Sequence, residues 1–177
     1  MVALPLQSHL CHMKARARPQ IGHRELRRGR ASLPNHAYHV ISSTIDREPR
    51  FRHFEPACAA SRCFTRASLL GDARVLAWVL MPDHVHWLLQ LGRNVSLQDA
   101  VHRLKAASSR ASNLASGRSG ALWTRGYYER ALRADDDVAG VARYIVANPL
   151  RAGLVKSVRE YPFWDAVWLD QHDAVLL

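Results

Sequence analysis

Met81-Pro82-Asp83-His84-Val85-His86-Trp87-Leu88-Leu89 is the stretch on which the reading of this chain turns. After a Pro-Asp turn signal the run is apolar and rich in aromatic and branched residues, which predicts a buried strand. Successive side chains of a strand point to opposite faces. His84 and His86 therefore share a face, with Cα atoms roughly 6.5 to 7 Å apart. Imidazole is the commonest protein metal ligand, and two on one face make half a metal site. The ordinary alternative is a pair of half-buried histidines that bind nothing.

Working outward, Val75 to Leu80 and His84 to Leu91 flank Met81-Pro82-Asp83 as a strand-turn-strand. Upstream, a first strand is predicted from Ala37 to Ile45 and a helix from Pro56 to Leu70, ended by Gly71. Downstream, Ser96 caps a helix with Asp99 at N3, a loose capping box, and Leu97, Val101, Leu104 and Ala111 give it a core face. Gly117 to Gly120 is a loop, and Tyr127 to Leu132 a further strand. Asp135-Asp136-Asp137 then opens another helix. Its apolar stripe is Val138, Val141, Ala142 and Ile145, and Pro149 ends it near Asn148. Tyr144 and Asn148 stand one turn apart on a flank of that stripe. Tyr161 to Leu169 is an aromatic-rich tail that should pack back on the body. The order β-α-β-β-α-β is the ferredoxin-like split βαβ pattern, an α+β fold whose antiparallel sheet carries helices on one face. The last helix must cross the sheet for Tyr144 to meet the histidines. Its tyrosine hydroxyl and the Asn148 carboxamide oxygen would then reach a metal held by the strand.

The 177 residues are 48% apolar and suit one domain with an ordinary core. A formal charge of +10 favours an anionic partner, nucleic acid first. Residues 1–32 hold Lys14, Arg16, Arg18, Arg24, Arg27, Arg28 and Arg30 against Glu25 alone, a net +6. Residues 1–22 lack apolar periodicity and are expected to form a disordered basic extension. Residues 23–170 are expected to be the single folded domain, and 171–177 a tail. Cys11, Cys58 and Cys63 are odd in number and show no Cys-x-x-Cys spacing, so reduced thiols and a cytoplasmic setting are expected. Met1 to Leu10 has no signal-peptide pattern, and no run approaches the ~18 apolar residues of a membrane span.

His84-Val85-His86 on a strand, followed by Tyr144-x-x-x-Asn148 on a late helix, resembles the single-tyrosine HUH transposases, where U is a bulky apolar residue. The closest branch is the REP-associated tyrosine transposases. Gly29 to Pro34, Tyr38-His39-Val40, Leu76 to His84, Leu104 to Arg110, Leu122 to Arg125 and Tyr144 to Leu154 carry the resemblance, in order, over roughly residues 24 to 170. Wider HUH relatives often have Gln four residues after the tyrosine, where this chain has Asn148. The resemblance implies a transposase domain in which Tyr144 attacks a phosphate of single-stranded or hairpin DNA. A covalent 5′-phosphotyrosine forms and a 3′-hydroxyl is released. That link conserves bond energy, so rejoining needs no nucleotide cofactor. His84, His86 and Asn148 would be the metal ligands, and this mixed nitrogen and oxygen set suits Mg or Mn. HUH relatives include dimers, but a monomer acting in cis is expected here, in a bacterial cytoplasm and on the nucleoid when DNA-bound.

Other residues compete for these roles. Tyr127 and Tyr128 are rival nucleophiles, although aromatics in a strand-like run usually pack. Trp123 reads as a core element, and His39, in the first strand, as a satisfied half-buried residue. Arg24, Arg27, Arg28 and Arg30 would grip DNA where the chain enters the first strand. Lys105 and Arg110 lie off the apolar face of the second helix, and Arg125, Arg130 and Arg133 surround the strand before the tyrosine helix. The ordinary reading of such charges is a solvated face. Two rival functions follow: a hairpin-DNA binder that does not cut, or an unrelated metal hydrolase. The second needs more His, Asp or Glu ligands beside His84 and His86, for which Asp83 and Asp46 are candidates.

Overall fold

The strand His84–Gln90 (β3) lies at the centre of a five-stranded sheet in a computed structural model that describes residues 32–168. The other strands are Ala37–Ser43 (β1), Arg74–Met81 (β2), Tyr128–Ala131 (β4) and Trp164–Ala166 (β5). Their order is β4-β1-β3-β2-β5, and every neighbouring pair is antiparallel. The helices are Phe54–Ser61 (α1), Ala67–Leu70 (α2), Leu97–Ser116 (α3), Val138–Val146 (α4) and Asn148–Arg151 (α5). β1 and β2 run parallel with β3 between them, which is the split βαβ arrangement expected of an α+β fold. The expected extension 1–22 and tail 171–177 lie outside the described residues.

Helices cover both faces of the sheet, which corrects the expectation of one. Tyr38, Val40, Trp78, Leu80, Val85, Trp87 and Leu89 pack with α1 and α3 through Ala57, Ala60, Leu97, Val101 and Leu104. Leu76, Val79, Met81 and Leu88 pack on the other side with Ala142, Ile145 and Val146 of α4. The split βαβ pattern accounts for the first layer only. α4 follows the last strand of that pattern, and β2 is apolar on both faces, with Leu88 of β3 beside it on the second one, so that face also needs a cover.

Local boundaries follow packing. The predicted helix from Pro56 to Leu70 is broken into α1 and α2, because the turn between them carries Phe64 edge-on against both Trp78 and Trp87, each at 5.2 Å between ring centroids. Gly71 ends α2 at φ 63°, a left-handed value that glycine adopts without strain. The Ser96 hydroxyl accepts from the Asp99 N–H at 3.1 Å, which starts α3 as expected. Asp137 does the same for α4, accepting from the Gly140 N–H at 2.8 Å. α4 stops at Val146, earlier than predicted, and Pro149 sits in the first turn of α5, where its missing N–H costs nothing. The aromatic tail packs back as expected, and does so as the edge strand β5. Tyr161 donates its hydroxyl to the Leu80 carbonyl at 2.7 Å, and burial pushes that phenol up to about 12.

Candidate active site

The face of β3 that bears His84, His86 and Leu88 is the one α4 covers, since Leu88 packs with Ile145 and Val146. His86 lies between Ile41 of β1 and Val79 of β2, and His84 between Ser43 and Met81. The two rings meet edge-on with centroids 5.0 Å apart. His86 is buried and His84 half-buried. Each ring is held by its Nδ1. His84 Nδ1 lies 2.5 Å from Asp83 Oδ1, and Asp83 Oδ2 accepts from Arg47 at 3.1 Å. His86 Nδ1 lies 3.0 Å from Nε2 of His39, whose ring stacks on it at 5.2 Å and 21°. Sequence reasoning placed His39 in the first strand as a satisfied, half-buried residue, and it is one. What it did not find is the partner, because β1–β3 register is not written in either strand alone.

Burial first, then the charges of His84, His39, Arg47 and Arg151, lowers His86 to about 3. Burial first, then Arg130, lowers His39 to about 4. Both imidazoles are therefore neutral near pH 7, the form in which a ring nitrogen can hold a cation. Burial alone would raise Asp83, but the hydrogen bond and charge of His84, with Arg47 behind them, outweigh it and hold the carboxyl below its usual range. A carboxylate on the other ring nitrogen, as Asp83 is for His84, is a usual support for a ligating histidine. With both Nδ1 atoms engaged, the Nε2 atoms are the donors that His84 and His86 could offer a cation.

Tyr144 stands 49% exposed on α4, outside the buried Ala142, Ile145 and Val146. Arg151 of α5 places its guanidinium 4.0 Å over the Tyr144 ring. The same arginine is the smallest of the charges that lower His86. Asn148 donates its amide nitrogen to the Tyr144 and Ile145 carbonyls at 3.1 and 2.9 Å. This closes the end of α4 and leaves the carboxamide oxygen for a ligand. Arg47 and Arg151 were not singled out in the sequence: Arg47 sits in no motif, and Arg151, although inside the stretch Tyr144 to Leu154, carries no local sign of the ring it covers.

The rival residues separate. Tyr127 packs against the α3-side core, while Tyr128 is 60% exposed. Tyr128 lies opposite Ile41, on the histidine face. Trp123 is core, as read, and donates to Ser108 Oγ at 3.0 Å. Among the described residues no group of three or more His, Cys, Asp and Glu could hold a metal, which leaves the hydrolase reading without its ligands. Of the basic candidates, Arg130 pairs opposite His39 on the histidine face and bonds Asp136 at 3.3 Å. Lys105 and Arg110 belong to α3, on the other side of the sheet. Lys105 donates to the Thr124 and Gly126 carbonyls at 2.6 and 3.0 Å, pinning the loop ahead of β4. Arg125 is exposed in that loop. Arg24, Arg27, Arg28 and Arg30 lie outside the described residues.

Comparison with known proteins gives the family of the chain and the fold it shares. The family model described as "Transposase IS200 like" matches residues 32–148, a span that includes both histidines, Tyr144 and Asn148. A REP-associated tyrosine transposase of Escherichia coli K12 is 26% identical over 140 residues, covering 78% of this chain and 70% of that protein. A Haemophilus influenzae protein assigned by name to the same group is 29% identical over 98 residues, 50% of this chain. The match spans 56% of that protein's length. A solved REP-associated tyrosine transposase bound to a REP hairpin superposes with a TM-score of 0.59 at 21% identity, over 76% of this chain and 79% of that one, and shares the fold.

Proposed function

Because this chain belongs to the IS200-like transposase family, we propose that it cuts and rejoins single-stranded or hairpin DNA, with Tyr144 as nucleophile and a divalent metal, Mg or Mn, held by His84, His86 and Asn148. The observation that carries this reading is the shared face: the helix bearing Tyr144 covers the side of the sheet that presents the two histidines. A bound cation would neutralise a non-bridging phosphate oxygen and orient the phosphorus for in-line displacement.

The chain's own residues do the rest. Tyr144 Oη attacks the phosphorus as its proton leaves, an Oη–P bond forms, and the P–O3′ bond breaks. The departing oxygen takes a proton and becomes a 3′-hydroxyl. In the second half a new 3′-hydroxyl attacks the phosphotyrosine and returns the phenol, so no nucleotide is consumed. Arg151 holds the tyrosine ring and supplies positive charge beside it. Asp83 and His39 hold the two ligating imidazoles by their Nδ1 atoms. Arg130 and Arg125 contact the strand's phosphates near the site, and Arg24, Arg27, Arg28 and Arg30 extend the grip. The protein acts as a monomer in the bacterial cytoplasm. No helix among the described residues is long and apolar enough to cross a membrane.

The test is incubation with labelled hairpin DNA carrying a single-stranded flank, in Mn²⁺, followed by a denaturing gel. A protein-linked strand and a shortened free strand are expected. Intact, bound DNA would instead assign the chain to hairpin binding without cleavage.

A further inference from the structure

We propose that His39 is a positioning residue, which fixes the ring orientation and the tautomer of His86 so that His86 Nε2 presents a lone pair to a cation. This rests on the reading of His84 and His86 as metal ligands. His39 projects from β1 on the histidine face, opposite Leu88, and reaches diagonally past the Ile41–His86 pair. Its Nε2 comes within 3.0 Å of His86 Nδ1, with the two rings nearly parallel at 21°. A hydrogen bond between two neutral imidazoles needs one N–H and one lone pair. If His86 is to ligate through Nε2, its proton must sit on Nδ1 and be donated to His39 Nε2. His39 then carries its own proton on Nδ1. The alternative, a proton on His39 Nε2, makes His86 Nδ1 the acceptor, puts the His86 proton on Nε2 and closes that nitrogen to metal. His84 has a carboxylate in the equivalent place, Asp83, which can only accept. The two ligands are thus set by different partners. His39 does not itself converge with the pair, since these three histidines form no metal-holding group.

Two measurements on the full chain test this. The first is long-range ¹H–¹⁵N correlation NMR of the metal-free protein, which reads the tautomer of each histidine. The protonated nitrogen of His86 is expected to be Nδ1, and a spectrum with His86 protonated on Nε2 overturns the inference. The second is Mn²⁺ titration by calorimetry of wild type, His39→Leu and His39→Gln. Leucine removes the acceptor and should weaken Mn²⁺ binding about 10- to 100-fold. Glutamine offers a carbonyl oxygen to the same Nδ1–H and should recover most of that loss. Metal-free binding of hairpin DNA, measured alongside, should not change. Unaltered Mn²⁺ affinity in His39→Leu, or no recovery with glutamine, overturns the positioning role. Failure of the wild type to bind Mn²⁺ would remove the metal reading itself, while the metal-free NMR result still decides what His39 does to His86.

Discussion

Tyr144→Phe removes one oxygen from an exposed side chain. It should leave stability within about 0.5 kcal/mol of wild type and leave the Arg151 contact in place. The covalent DNA adduct should vanish on a denaturing gel. Persistence of the adduct would move the nucleophile to Tyr128, the exposed phenol on the same sheet face. The two histidines should differ in their structural cost. His86→Ala opens a buried site and strands the His39 ring nitrogen, for a loss of about 1–3 kcal/mol in denaturant melts. His84→Ala, half-exposed, should lose less. Both should abolish Mn²⁺-dependent cleavage, and both should keep most DNA affinity, which comes chiefly from phosphate neutralisation. Undiminished cleavage in the double alanine variant would remove the site.

At the scale of elements, α4 sets where Tyr144 stands, and Asp137 starts α4. Asp137→Ala should cost about 1 kcal/mol and also drops an ion pair to Arg143 at 3.2 Å. The frayed helix should slow adduct formation more than it weakens DNA binding, and equal effects on both would mean that α4 holds its place by packing alone. What the sequence made legible here is what local periodicity encodes. The alternation His84-Val85-His86 gave both histidines one face, and the stripe Val138, Val141, Ala142, Ile145 gave α4 its inner side. The break between α1 and α2 was not legible, because it serves Phe64 and two tryptophans that arrive later in the chain. Strand β5 is three residues long, too short to show a period. Lys105 looked like a phosphate contact because a charge on a helix shows its sign and not its partner, and the Thr124 and Gly126 carbonyls come from elsewhere.

For the molecule as a whole, acid should be destabilising from the neutral range downward. His39 and His86 stay neutral in the fold to about 4 and about 3, whereas an unfolded histidine titrates near ~6.5. Between those limits the unfolded chain binds protons that the native state refuses, so stability falls as pH falls. Asp72, held low first by the Asn94 backbone N–H, and Glu48, held low first by Arg118, add a loss of the same sign once unfolded carboxylates begin to protonate. Melting temperature should decline from pH 7 to 5 and more steeply below, with a shallower upper limb in His39→Gln. A flat profile between pH 7 and 5 would contradict the burial of these rings. The charge of +10 predicts strongly salt-dependent DNA binding. Neutralising Arg27, Arg28 and Arg30 should reduce the log-log slope by roughly 2 if all three meet single-stranded phosphates, and an unchanged slope would make them a solvated segment only. The position of β1 also has a consequence in time. It is an inner strand, yet its first partner lies some way downstream, 47 residues on at the His39–His86 contact. At a ribosomal pace of about 5–20 residues per second, β1 waits roughly 2 to 9 seconds before β3 exists to pair with it, and longer for β4. During synthesis both long edges of β1 stay open until β3 emerges, and an open strand edge is a template on which another chain can pair.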